Sequence, residues 1–313
     1  MKFWVGVTDN DWFKFLAARK LDEVNFWQPS SRPLFSDAPT GLPFLFKLKR
    51  PHNHIAGGGF YVAHTTLPVT LAWEIFGEKN GAASFDQLQS LLGPLRQHQA
   101  ATNEIGCTVL SSPFFFPQSE WIKDPAGWAQ NIVRGKMYDD STTDARAIWN
   151  DLQPRLAAAL NNAPAGGPLD GLRVEEPVQK FGTPLLFKPR LGQASFRVLV
   201  TDAYKRRCAI TGENTLVALE AAHIVPYASD GSSHDIRNGL LLRADFHRLF
   251  DAGLVSITPE MKIKVSRRIR ETWFNGKVYY RLNDQPLSAV PDSIAQRPDP
   301  DRLNWHYNNV FQA

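Results

Sequence analysis

Residues 218–253, ALEAAHIVPYASDGSSHDIRNGLLLRADFHRLFDAG, contain three of the chain's eight histidines. An apolar run ends near His223, a polar loop follows, and a second apolar run begins after Asn238. The final segment, DFHRLFDAG, has the apolar spacing of an amphipathic helix and stops at a glycine. The stretch therefore predicts a compact ββα unit, in which two strands are joined by a loop and followed by a helix.

Phosphodiester hydrolysis explains why these residue types would occur at this spacing. The reaction needs a base that deprotonates water and a cation that stabilises charge on the departing oxygen. We assign His223 as the general base. His247 and Asp251 lie four residues apart on one helix face, so both can reach a single cation. Asn238 is expected to join the ends of the loop through hydrogen bonds from its side chain to the backbone. The alternative interpretation is a buried hairpin that merely contains histidines.

The order of His223, Asn238 and His247 along strand, loop end and helix resembles the HNH (ββα-metal) nucleases. RLGQASFRVLVTDAYKRRCAITG before the unit and HRLFDAG within it resemble the branch of that family found in restriction endonucleases. The resemblance covers about residues 190–270 and implies a metal-dependent endonuclease. Imidazole and carboxylate ligands with open positions for water fit Mg²⁺ or Mn²⁺ best. Many members have an Asp or His ligand directly before the general base, whereas Ala222 stands there in this chain. Glu220, on the same face of the strand, is a candidate replacement.

The expected partner is double-stranded DNA. Lysine and arginine outnumber aspartate and glutamate in residues 181–313, which suits a polyanionic partner. Arg237, Arg243 and Arg248 are the candidates for DNA phosphate contacts, and solvated surface charge is the alternative for each. Because one site per chain must cut two strands, a homodimer is also expected.

The chain before residue 139 consists mostly of strand-like apolar runs, with two helix-like segments between them. The runs KFWVGV, LPFLFKLK, GGGFYVAHTTL and GCTVLSSPFFF predict strands, while DNDWFKFLAARK and PVTLAWEIFG predict helices. A mostly-β barrel is expected for residues 1–138, since closure leaves no open sheet edge. Residues 139–182 predict a helical and Pro/Gly-rich linker, and residues 183–313 the nuclease domain. The predicted fold class is α+β.

FWVGVTDNDWF, DEVNFWQPS and IAGGGFYVAHTTLPVTLAWEIFGEKNG resemble the PUA, EVE and related readers of modified DNA. The resemblance implies an aromatic pocket that holds a modified or flipped base. For every candidate, a place in the hydrophobic core is the alternative. The candidates for this pocket are Trp12, Phe26, Trp27, Phe60 and Tyr61.

Together these features predict a modification-dependent, type IV-like restriction endonuclease that recognises 5-methyl- or 5-hydroxymethylcytosine in phage DNA. Two alternatives stay open: an HNH endonuclease dependent on phosphorothioate DNA, and a non-catalytic DNA-binding protein that retains the ββα fold. The sequence has no apolar run of membrane-spanning length, and its start lacks the pattern of a signal peptide, so a cytoplasmic location is expected. Two cysteines make neither a disulfide framework nor a four-thiolate zinc site.

Overall fold

The chain forms two compact units, residues 1–195 and 196–313, and its architecture is α+β as predicted. None of the helices in the part described is long and apolar enough to cross a bilayer. The computed structural model describes residues 2–34, 38–96, 103–125, 127–129, 131–139, 141–161, 167, 169, 172–174, 187–188, 191–227 and 234–313.

The first unit is built on a seven-stranded mixed sheet in the order β2-β5-β4-β3-β1-β7, with β6 paired to β4. The strands β1 and β3 run parallel, and the other pairs are antiparallel. Its elements are β1 (Lys2–Thr8), α1 (Asn10–Ala17), β2 (Glu23–Gln28), β3 (Pro43–Leu48), β4 (His54–Pro68), α2 (Val69–Phe76), α3 (Phe85–Arg96), β5 (Glu104–Phe115), β6 (Ile122–Lys123), β7 (Gly135–Asp139), α4 (Thr143–Asn161), β8 (Arg173–Val174) and β9 (Phe187–Lys188).

The two end strands of this sheet approach each other. Arg134, directly before β7, donates a hydrogen bond to the side chain of Gln28 at the end of β2. No backbone ladder joins β2 to β7 among the residues described, so side chains rather than main-chain pairs connect the ends. The sheet thus curves as in the predicted barrel, and leaves a gap between its end strands.

Alternation along the strands gives each face of the sheet its own hydrophobic cluster. In β1, Phe3 and Val5 pack on one face and Trp4 on the other. The first face is covered by α4, which lies in the predicted linker and buries Ile148 and Leu152 against it. The second face is covered by α1. The boundaries after residues 138 and 182 remain predictions.

The second unit contains the predicted ββα arrangement. It starts within α5, and β10 pairs antiparallel with β11, with His223 opposite Gly239. The next helix, α6, packs on this hairpin through Phe246 and Phe250, both fully buried. The elements are α5 (Gln193–Ala203), β10 (Leu219–His223), β11 (Gly239–Arg243), α6 (Ala244–Asp251), β12 (Val255–Ile257), β13 (Ile263–Val265), α7 (Arg268–Trp273), α8 (Lys277–Tyr280) and α9 (Pro300–Asn309).

His306 fixes α9 to the core of this unit. Its ring stacks on Phe250 with centroids 3.6 Å apart, its Nε2 lies 3.1 Å from the Phe250 carbonyl, and its Nδ1 lies 2.9 Å from the Ser256 hydroxyl. A neutral imidazole satisfies both contacts, because Nε2–H donates and Nδ1 accepts. Burial lowers the pKa of His306 to about 4, although the hydrogen bond to Phe250 opposes this shift.

The unfolded chain therefore binds a proton at His306 below its ordinary pKa of 6.5, whereas the folded unit binds it only near pH 4. Stability is retained above pH 6.5 and falls progressively as the pH drops towards 4. Because of His306, we expect the free energy of unfolding to fall by about 2 kcal/mol when the pH is lowered from 7.5 to 5.0. Urea unfolding of the wild type and of His306→Gln at both pH values measures it, since the variant lacks this loss. Equal pH dependence in the two proteins would show that His306 does not contribute.

Candidate active site

His223, the last residue of β10, lies in a cluster of aromatic rings. Its imidazole stacks on Phe196 of α5 at a centroid distance of 3.9 Å and an interplanar angle of 8°. Its Nε2 is 3.2 Å from Nδ1 of His234, whose own ring stacks on Tyr227 at 4.2 Å. These contacts hold the His223 ring in one orientation at the end of the strand.

The electrostatic surroundings keep His223 neutral. Burial, with further contributions from the charges of His234 and His247, lowers the pKa of His223 to about 4. A neutral imidazole is the form that accepts a proton. In the tautomer with its proton on Nε2, His223 donates to His234 and keeps the lone pair of Nδ1 for a proton.

Asn238 joins the two ends of the polar loop. Its Oδ1 accepts from the Val225 N–H at 3.0 Å, and its Nδ2 donates to the Val225 carbonyl at 3.0 Å. Its own carbonyl accepts from the Ile224 N–H at 2.9 Å. Asn238 is fully buried, so these bonds fix the backbone directly after His223 in a water-poor environment.

On α6, His247 lies between two carboxylates. Its Nδ1 is 2.6 Å from Glu220 Oε2 on β10, and its Nε2 is 3.4 Å from Asp251 Oδ2. A metal-binding histidine commonly bonds a carboxylate through its other ring nitrogen, which orients the ring. The contact between Glu220 and His247 has this geometry, and the candidacy of Glu220 as a replacement ligand stays a prediction.

The pair His247 and Asp251 suits a hydrated divalent cation. Two ligand atoms that are each about 2.1 Å from a cation and at right angles lie about 3 Å apart, close to the observed separation. Within the described residues, no group of three or more His, Cys, Asp or Glu side chains gathers to hold a metal. Two protein ligands leave positions for water and a substrate phosphate, an arrangement typical of Mg²⁺. Burial and the charge of Glu220 raise the pKa of Asp251, while His247 acts to lower it. A bound cation would offset the repulsion between the two carboxylates.

The three predicted DNA-binding arginines differ in their contacts. Arg237 pairs with Asp299 at 3.1 Å, and Arg243 forms a two-pronged ion pair with Asp245 at 2.7 and 2.8 Å. Arg248 is exposed on α6 and has no ion-pair partner in the part of the chain that the structure describes. Arg248 is thus the arginine most accessible to a phosphate beside His247.

A separate cavity of about 460 Å³ lies in the first unit, in the gap between the end strands of the sheet. This volume falls in the range of ligand sites, roughly 300–1,000 Å³. Three of the predicted aromatic residues, Trp12, Phe26 and Trp27, line it. Phe60 and Tyr61 are not among the lining residues, and Phe60 is fully buried against Phe187 with ring centroids 4.4 Å apart.

Fixed polar groups also line this cavity. The Trp27 Nε1 donates to the Asn80 carbonyl at 2.8 Å, which sets the plane of the indole. Asp9 caps α1 and pairs with Lys49 at 3.0 Å. Burial acts to raise the pKa of Asp9, but its bonds to Lys49 and to two backbone N–H groups lower it overall. The cavity therefore combines aromatic walls with an ionised carboxylate, the Gln28 amide and the guanidinium of Arg134.

Residues 208–258 match the family model of the HNH endonuclease. The second unit carries an HNH endonuclease domain. The matched segment includes His223, Asn238, His247 and Asp251, and confirms the resemblance predicted from their order. Endonucleases of this family generally depend on a divalent metal.

Two solved structures are also similar to this chain. The ASCH protein of Zymomonas mobilis, which is PUA-like, shares 11% identity over 49% of this chain and 94% of its own, with a TM-score of 0.29. The modification-dependent restriction endonuclease TagI shares 14% identity over 92% of this chain and 75% of its own, with a TM-score of 0.29. No curated protein matches the chain by sequence.

The structure adds residues around the HNH site that the sequence pattern does not identify. His234, in the polar loop, contacts His223 directly. Phe196 lies 27 positions before His223 in the sequence and stacks on its ring. Neither contact has a local sequence signal, because both depend on how the loop and α5 pack against the hairpin.

Proposed function

We propose that this protein is a modification-dependent DNA endonuclease, in which the HNH domain hydrolyses phosphodiester bonds and the first unit selects modified DNA. The observation that supports it most strongly is a neutral His223 in the same HNH domain as the His247–Asp251 pair. His223 supplies a base at neutral pH, and the His247–Asp251 pair supplies ligands for a cation.

Each residue then has one task. His223 accepts the proton of the attacking water, while His234 holds its ring in position. His247 and Asp251 would hold the cation, which supplies positive charge next to the scissile phosphate and the departing oxygen. Glu220 orients His247, and Asn238 keeps the backbone after His223 fixed. Arg248 contacts a neighbouring phosphate.

The cavity of the first unit is proposed as the pocket for a modified cytosine extruded from the duplex. An extruded base must regain stacking and hydrogen bonds to offset its unstacking, which costs a few kcal/mol. Trp27 and Phe26 offer stacking surfaces, and Asp9 and Gln28 offer polar contacts to a base edge. Leu95 and Val133, both lining the cavity, are exposed by 51% and 77%, which gives the opening an apolar rim.

The nuclease activity is tested by incubating the full chain with a supercoiled plasmid that carries modified cytosines. We expect nicked and linear products in Mg²⁺ or Mn²⁺ and none in EDTA. A plasmid that stays supercoiled in every divalent cation would favour the non-catalytic alternative. Products that persist in EDTA would contradict the role given to His247 and Asp251.

His247→Ala is expected to weaken Mn²⁺ binding by a factor of about ten or more, because it removes one of the two ligands proposed here and even outer-shell partners contribute about 10–100-fold. Isothermal calorimetry with Mn²⁺ measures this effect directly. Arg248→Ala is the matched control on the same helix, and should leave the Mn²⁺ affinity unchanged while it weakens DNA binding. Equal Mn²⁺ affinity in wild type and His247→Ala would rule out His247 as a ligand.

A further inference from the structure

An exposed aromatic turn lies outside the HNH motif. Three large apolar side chains of this turn are exposed, namely Trp273 by 58%, Phe274 by 92% and Val278 by 66%. They lie where α7 ends and α8 begins, within residues 267–281, which we call the α7–α8 turn. Such a concentration of apolar side chains in water marks an interaction site.

The exposed ring of Phe274 is not explained by packing within the unit. Its φ of 54° places it in the left-handed region, where glycine is usual and a bulky residue is rare. Its ring is almost wholly exposed, so the unit gains no packing from an aromatic side chain at this strained position. The left-handed backbone ends α7, where the Phe274 N–H donates to the Arg270 carbonyl at 2.9 Å, whereas the exposed aromatic ring points to a contact with another molecule.

The turn itself is firmly held. Ile269 is buried in the core, and the Tyr280 hydroxyl lies 2.9 Å from both the Ser266 carbonyl and the Arg270 N–H. Tyr279 packs edge-on against Phe246 of α6 with centroids 5.4 Å apart. The exposed aromatic side chains are therefore carried on a rigid support that contacts the helix bearing His247.

Positive charge surrounds the aromatic side chains. The turn contains five basic residues and one acidic residue, Glu271, and all five basic side chains are exposed. Arg267 and Arg270 line a surface cavity of about 480 Å³ together with Phe274 and Tyr280. Neither arginine nor Lys277 has an ion-pair partner among the described residues. Cations that flank exposed aromatic rings match the chemistry of nucleic acid, whose phosphates lie beside stacking bases.

We propose that the α7–α8 turn is a second DNA-contacting element of the nuclease unit. Phe274 and Trp273 stack against bases or enter a base step of the duplex, while Arg267, Arg270 and Lys277 contact the phosphates on either side. This inference rests on the proposed function, because it takes the DNA substrate of the HNH domain as the occupant.

The test uses the full chain with His223→Ala, which prevents cutting, and an unmodified 30-bp duplex as the probe. Fluorescence anisotropy at several salt concentrations gives the affinity. We expect Phe274→Ala to weaken binding roughly 5- to 150-fold, the range for loss of one stacked base, with an unchanged salt slope. Arg267→Gln combined with Arg270→Gln should lower the salt slope by about 2. Glu271→Gln should strengthen binding, because it removes the one repulsive charge.

Ile294→Ala is the matched control, since Ile294 is also exposed, by 79%, in the same unit but outside the turn. Permanganate reactivity of thymines in the bound duplex reports unstacking, which Phe274→Ala should abolish. The proposal is wrong if Phe274→Ala binds DNA as Ile294→Ala does, or if it alters only self-association or binding to anionic vesicles. Cleavage by the wild type is assayed in parallel, so that the two claims are tested separately. If the wild type cuts DNA but the turn variants bind DNA normally, the proposed nuclease function stands and only the role of the α7–α8 turn is refuted.

Discussion

His223→Ala is expected to lower the rate of DNA cleavage by a factor of about 10² to 10⁴, the usual contribution of a general base. DNA affinity should stay nearly unchanged, because the proposed phosphate contacts come from arginines and not from His223. Single-turnover cleavage in Mg²⁺, with binding measured in parallel in EDTA, separates the two quantities. The large loss is expected because the other imidazole that contacts His223, that of His234, is the one that holds it in position.

His234→Ala provides a graded comparison. It removes the contact to Nε2 of His223 but leaves the stacking on Phe196, so we expect a smaller loss of rate than for His223→Ala. Thermal unfolding of both variants controls for folding. Parallel losses of binding and cleavage in His223→Ala would show that the residue is structural, and the buried-hairpin interpretation of the motif would then be preferred.

The second large effect is expected at Trp27. Trp27→Ala should reduce the preference for modified over plain duplex about 5- to 150-fold, since one base–aromatic stack contributes about 1–3 kcal/mol. The binding that remains should be sensitive to salt, because phosphate contacts release counterions whereas stacking in a cavity does not. Competition binding with duplexes that carry one 5-methyl- or 5-hydroxymethylcytosine measures the preference.

Trp73→Ala is the control for this variant, because Trp73 is a half-buried tryptophan of the same unit that does not line the cavity. It should keep the preference of the wild type. If Trp27→Ala and Trp73→Ala discriminate equally well, the cavity does not hold the modified base. A preference for phosphorothioate duplexes in the same experiment would instead favour a reader of the DNA backbone.

The ββα unit was predictable because its signals are local. The apolar run that ends at His223 and the i,i+4 pair His247 and Asp251 each specify an element by short-range spacing alone. Asn238 was expected to join the loop ends through side-chain-to-backbone hydrogen bonds, and its side chain bonds the Val225 backbone across the loop. The strands β1, β3, β4 and β5 were predicted for the same reason.

The strand β2 was missed because its buried residues are polar. Polar residues are typical of loops, yet three polar side chains of β2 are buried, namely Glu23, Asn25 and Gln28. Glu23 pairs with Lys79 at 3.2 Å, and Asn25 bonds Asn80 at 2.9 Å. Those partners lie more than 50 positions away, so no local pattern predicts them. The aromatic candidates show the same limit, since composition alone did not separate Trp27 at the cavity from Phe60 in the core.

The decisive experiment is cleavage of a single plasmid sequence, prepared with and without 5-methyl- and 5-hydroxymethylcytosine, by the full chain in Mg²⁺ or Mn²⁺. We expect the modified plasmid to be cut and the plain plasmid to be spared at equal enzyme concentration. His223→Ala should leave both plasmids intact. Equal cutting of modified and plain DNA by the wild type would contradict the claim that the first unit selects modified substrate.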